Sequence, residues 1–80
     1  MKKPAVTIEY CGVCNYLPRA AGLAAAIEKE FGVKSKLIEG SAGVFDVTVE
    51  GKLIYSKKAT WRFPEHDEIF FHVQQAAKAC

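Results

Sequence analysis

The chain has 80 residues, of which 50% are hydrophobic and 25% charged, and a net charge of +2. That balance predicts one folded domain over residues 1–80 with a thin stability margin, and it excludes a repeat array or a low-complexity chain. Eleven basic against nine acidic residues supply no basic stripe for nucleic acid, and no run of 18 apolar residues is present to cross a membrane.

The first predicted element is a strand over residues 5–10. Val6, Ile8 and Tyr10 alternate with Thr7 and Glu9, the period-two pattern of a half-buried strand. Glu9 also breaks the only apolar run near the start, which argues against a signal peptide, so a cytoplasmic location is expected. Cys11-Gly12-Val13-Cys14 follows at once.

A helix comes next. Leu17, Ala20, Ala24, Ile27 and Phe31 recur at steps of three and four and define one apolar face. Gly32 is placed to end it. Proline is tolerated only in a helix's first turn, so Pro18 fixes the start, with Asn15 as the expected N-cap and Pro18 at the third helical position.

Residues 33–39 read as a second strand, Gly40-Ser41-Ala42-Gly43 as a loop, and residues 44–50 as a third strand with Phe45, Val47 and Val49 on one side. Glu50-Gly51 offers a tight hairpin turn into a fourth strand, Lys52–Ser56. Residues 57–63 read as a loop, and Pro64 is expected to open a last helix with Glu65, Asp67 and Glu68 in its first turn.

The predicted order is therefore β-α-β-β-β-α. The first two strands should be parallel through a right-handed crossover and the last two antiparallel. This gives an α/β fold with one mixed four-stranded sheet and two helices. A Cys-x-x-Cys between the first strand and first helix of such a unit marks a thioredoxin-like redox domain.

The chemistry follows from sulfur. A thiolate attacks disulfides, and a helix's positive end favours that anion. With two residues between the cysteines, the second sulfur reaches a mixed disulfide formed on the first and resolves it. Catalytic roles are thus expected for Cys11 and Cys14, and no cofactor or metal is required. Gly12 and Val13 are small enough to let a partner approach. Trp61, with Phe63 and Tyr16, could rim a binding site, and Arg19 could add positive charge. The bland alternatives are peripheral core for the aromatics and a solvated surface for Arg19. His66 and His72, six residues apart, do not share a helix face as metal ligands four apart would. Cys80 reads as an exposed terminal thiol.

Two other functions fit the same motif. A soft-metal domain holding Cu or Zn also uses a Cys-x-x-Cys after a first strand, but such domains usually carry a methionine before the cysteines, and Glu9-Tyr10 stand here. A redox-regulated interaction module would use the same pair without turnover.

The run Ile8-Glu9-Tyr10-Cys11-Gly12-Val13-Cys14-Asn15-Tyr16 resembles the start of the selenoprotein W-like proteins, the redoxin-type group that includes selenoproteins T and H. Further blocks agree: Arg19-Ala20-Ala21 with Leu23-Ala24, Gly43-Val44-Phe45-Asp46-Val47, Gly51 to Lys58, Arg62-Phe63-Pro64 and Glu68-Ile69. The resemblance implies a thioredoxin-like fold and a thiol-dependent oxidoreductase or antioxidant role. It implies glutathione or a protein thiol or disulfide as partner. In the selenium-containing relatives selenocysteine takes the second motif position, which is Cys14 here. Thioredoxins and glutaredoxins proper carry a cis-proline opposite the cysteines; the corresponding stretch, Glu39 to Val44, has none. Two assignments of the attacking sulfur stand: Cys11 by analogy with ordinary thioredoxin-like proteins, and Cys14 by the family analogy and the helix start at Pro18, towards which the reading leans.

Overall fold

The computed structural model describes residues 3–78; Cys80 lies outside them. Its elements are β1 (Val6–Cys11), α1 (Leu17–Phe31), β2 (Ser35–Gly40), β3 (Phe45–Val49), β4 (Lys52–Ser56), α2 (Lys57–Thr60) and α3 (His66–Lys78). The strands form one sheet in the order β2-β1-β3-β4. β1 and β2 are parallel, with Val6 beside Ser35 and Cys11 beside Gly40. β3 runs antiparallel to both β1 and β4. The fold is thioredoxin-like, as expected.

Hydrophobic alternation sets the register. Val6, Ile8, Phe45, Val47, Val49 and Tyr55 are buried from the sheet, and Ala20, Leu23, Ile27, Ile69 and Val73 from the helices. α1 and α3 pack on each other as well as on the sheet, so both lie on one face. The other face carries Thr7, Glu9, Ile38, Asp46, Thr48 and Leu53 and, among the described residues, has no helix over it. This differs from a sheet covered on both sides. The reason is in the strands, which alternate apolar and polar residues instead of running apolar throughout.

The helix starts needed correction. α1 begins at Leu17 with Tyr16 as N-cap, and Pro18 is in its first turn, one position earlier than expected. Asn15 is not the cap. Its N–H donates to the Gly12 carbonyl (3.1 Å) and its φ is 60°, a left-handed conformation asparagine tolerates well. The buried stripe of α1 is Ala20, Leu23 and Ile27, with Leu17 exposed. Gly32 ends the helix at φ 69°, its N–H donating to the Glu28 carbonyl.

α3 begins at His66, two residues after Pro64. Glu65 takes the N-cap position, and its N–H donates to the Glu68 carboxylate (2.9 Å), half of a capping box. Residues 57–60 form a one-turn helix where a loop was expected. The Thr60 hydroxyl donates to the Tyr55 hydroxyl and the Tyr55 hydroxyl to the Arg62 carbonyl, each at 2.8 Å. These bonds hold the turn on β4. The β3–β4 hairpin is as expected: Glu50 and Gly51 take φ 53° and 77°, the doubly positive turn that matches strand twist.

Candidate active site at the carboxyl ends of the strands

Because β1, β2 and β4 run the same way, their carboxyl ends meet at one end of the sheet. There the chain places the cysteine turn, the 41–44 loop, the 57–65 segment and the first turns of α1 and α3. Cys11 is the last residue of β1, not the first residue beyond it. Its N–H donates to the Val44 carbonyl (2.8 Å), and the Gly12 N–H to the Gly40 carbonyl (3.3 Å). These bonds extend the sheet into the motif. The 41–44 loop thus sits beside the cysteines without a proline, and the described residues contain no cis peptide bond.

Cys11 and Cys14 are joined by a disulfide, with Cα atoms 5.3 Å apart. The two sulfurs have different surroundings. Cys11 is 0% exposed, whereas Cys14 is exposed in the turn that leads into α1. Cys11 is buried outside the main core. Tyr10 packs on the helix side, so the next residue along the strand turns to the opposite face.

Two residues past Cys14 an aromatic cluster begins. Tyr16 and Phe63 meet edge to face at 4.9 Å, and Phe63 meets Phe45 at 5.2 Å. The Arg19 guanidinium lies 4.2 Å from the centre of the Phe63 ring, and the Lys57 ammonium 5.2 Å from it. Two cations therefore lie against the same aromatic ring, a favourable cation–π arrangement. A shallow groove of about 440 Å³ continues from this stack, lined by Arg19, Phe63, Pro64, Glu65, His66 and Asp67.

A side chain at position 12 would collide with the Glu39 carboxylate, so glycine there leaves room for that group over the motif. Val13 is 89% exposed and Trp61 is 86% exposed. Trp61 closes α2 at φ 63° and stands apart from the Tyr16–Phe63–Phe45 cluster. Phe63 and Tyr16 are partly buried and pack against the core. His66 and His72 lie beside Phe70 and Phe71, respectively, and among the described residues no three His, Cys, Asp or Glu side chains gather as a metal site. Sequence reading missed Lys57 and Glu39, because only the tertiary fold brings the ends of β4 and β2 to the motif.

Comparison with known proteins agrees with this geometry. The model of the Rdx family matches residues 5–75. Mouse selenoprotein W is 37% identical over 79 residues, covering 94% of this chain and 90% of its own length. Mouse Migration and invasion enhancer 1 is 26% identical over 73 residues, and the chain spans only 64% of that protein's length. The crystal structure of a selenoprotein W-related protein from Vibrio cholerae superposes with a TM-score of 0.86 at 26% identity, covering 92% of this chain and 96% of that one. A protein of Bordetella parapertussis superposes at 0.80 and 27% identity, covering 98% of each chain. A Cys-x-x-Cys disulfide at the head of the first helix, a matching family model over most of the length and a shared fold together place this chain in the Rdx family, among the selenoprotein W-like proteins.

Proposed function

We propose that this protein is a thiol–disulfide oxidoreductase in which Cys14 is the attacking sulfur and Cys11 the resolving one. The observation that carries the reading is the difference in exposure between the two bonded sulfurs: Cys11 is fully buried and Cys14 open to a partner. An exposed sulfur near a helix N-terminus is suited to ionise and to meet a substrate disulfide, and Arg19 and Lys57 hold positive charge against the Phe63 ring at the same end of the sheet. A buried neighbour three residues away is suited to displace that substrate afterwards.

The partner in this reading is glutathione or a protein thiol or disulfide in a reducing compartment such as the cytoplasm. Gly12, Val13 and Trp61 would form its contact surface, since Val13 and Trp61 are open at the same end of the sheet. The whole of residues 1–80 would act as one thioredoxin-like domain.

The test mixes each reduced single-cysteine variant with glutathione disulfide and weighs the products. Cys11→Ser should trap a mixed disulfide on Cys14, and Cys14→Ser should trap little. Wild type should close its own disulfide and release the thiol, with a reduction potential of roughly −200 to −270 mV. Equal trapping by both variants would refute this assignment of roles, and greater trapping by Cys14→Ser would reverse it. A pair that never closes would reject the function.

A further inference from the structure

Glu39 is a charged side chain that the fold sets against the cysteine turn itself. It is the next-to-last residue of β2. Gly40, which follows it, is the register partner of Cys11, and the Gly40 carbonyl accepts the Gly12 N–H at 3.3 Å. A Cβ built on Gly12 would stand 2.6 Å from the Glu39 Cδ and 2.8 Å from its Cγ, closer than van der Waals contact allows. The carboxylate therefore lies against the Gly12 backbone, between the two sulfurs in sequence. Glu39 is also exposed, so its charge is open to whatever approaches the turn.

The turn is tight. The Cys11 and Cys14 Cα atoms are 5.3 Å apart, and the Asn15 N–H donates back to the Gly12 carbonyl at 3.1 Å. A disulfide that reaches Cys14 thus comes within roughly one Debye length of the Glu39 charge, about 8 Å at physiological salt.

The other charges at this end of the sheet do not cancel it. Among the described residues Glu39 forms no ion pair. Glu9 adds charge of the same sign from the opposite face, its Oε2 lying 2.6 Å from where a side chain on Gly40 would begin. Arg19 and Lys57 are held on the Phe63 ring, and Glu65 and Asp67 share the groove with Arg19. Arg62 is bound to Glu68.

We propose that Glu39 is a specificity-determining residue that favours disulfides with positive charge beside the sulfur, namely protein disulfides flanked by lysine or arginine, over anionic disulfides; this rests on the exchange reaction proposed above. Glu39 takes no part in the bond changes. The Cys14 thiolate attacks the substrate RS–SR′, the Cys14–SR bond forms, and R′S⁻ leaves with the electron pair of the broken bond. The Cys11 thiol loses its proton to solvent, its sulfur attacks Cys14 Sγ, and RS⁻ leaves as the Cys11–Cys14 bond forms. The substrate gains two electrons and the cysteine pair loses them. Glu39 attracts a cation on R while the first bond forms, and repels an anion there.

The experiment measures, by rapid acid quench and mass spectrometry, how fast the reduced protein reacts with cystamine (cationic), dithiodipropionate (anionic) and hydroxyethyl disulfide (neutral) at neutral pH and physiological salt. Each rate is divided by the same disulfide's rate with β-mercaptoethanol, which cancels the chemistry of the disulfide itself. Wild type should prefer cystamine to dithiodipropionate, and Glu39→Gln should lower that ratio by about tenfold. Any change in the reactivity of Cys14 itself moves all three rates together and leaves the ratio alone. Glu39→Asp should keep most of the preference. Glu30→Gln removes the same charge roughly 20 Å further along α1 and should change the ratio by less than about twofold. An unaltered ratio in folded Glu39→Gln would overturn the proposal and leave the exchange reaction standing. Failure of wild type to react with any of the three would overturn both. Should Glu39→Gln not fold, wild type alone decides: its preference for cystamine should fade in high salt, and an equal or greater rate with dithiodipropionate would refute the assignment.

Discussion

At the scale of single residues, the cysteine turn is shaped by what its neighbours leave out. Position 12 is glycine, and the Glu39 carboxylate occupies the volume a side chain would need. Glu39 ends in rotatable bonds, so it can move aside at modest cost. Gly12→Ala should therefore lower stability by no more than about 1 kcal/mol, within the range of ordinary substitutions. Glu39→Ala should recover most of that loss in the double variant. A double-mutant cycle by urea denaturation measures the coupling, and zero coupling would mean that Glu39 does not occupy the space over the motif in solution. Val13 and Cys14 sit in the same turn and are open to solvent. The turn thus presents Cys14, while Cys11 is buried at the end of β1.

At the scale of elements, the 57–65 segment decides how the aromatic cluster meets the motif. Phe63 must reach Tyr16, and the segment is pinned on both sides. Tyr55 and Thr60 hold it to β4. Arg62 holds it to α3 through two bonds to the Glu68 carboxylate, at 2.7 and 2.8 Å. The Arg62 guanidinium, with help from the Glu65 N–H, lowers Glu68 from its ordinary value to about 2. A carboxylate whose folded value is depressed adds stability that is present above its unfolded value, near 4.5, and is lost as pH falls towards 2. The melting temperature should therefore fall between pH 4.5 and 2 more steeply in wild type than in Glu68→Gln. The pair is solvent-exposed, so the difference should also shrink in high salt. Parallel slopes in the two proteins would show that the pair exerts no hold in solution.

At the scale of the whole molecule, one core lies between two helices and one face of the sheet. A chain of this size has a total stability of roughly 4–12 kcal/mol. Ile69 is fully buried and joins α3 to the core. Ile69→Ala should cost about 2–5 kcal/mol, a large share of the whole. Leu53 is on the uncovered face and exposed, so Leu53→Ala should cost less than about 1 kcal/mol. Chemical denaturation of both variants checks the contrast. Equal losses would mean that the second face is covered in solution. The same one-sided layering explains the position of the cysteine pair. Cys11 follows Tyr10, which belongs to the core, and so turns towards the side without helices.

The element order and the parallel pairing of β1 with β2 were legible in the sequence, because alternation and helical periodicity are local properties of neighbouring residues. The Cys-x-x-Cys pair and its family resemblance were legible for the same reason: four consecutive positions carry the motif. Element ends were read less well. Asn15 makes a good cap by type, but a turn bond to Gly12 claimed it, and the bonds among Tyr55, Thr60 and Arg62 made a helix where the composition suggested a loop. The surroundings of the two sulfurs were decided only by the tertiary structure. Burial of Cys11 depends on the neighbouring strands and on Val44, 33 positions away, and the cations at Arg19 and Lys57 come from elements 38 positions apart. Glu9 and Asp46 read as ordinary outward positions on their strands, and strand pairing alone sets them side by side. Local patterning fixes what a residue can do, while burial and proximity, which govern protonation and attack, depend on which distant segments the fold brings against it.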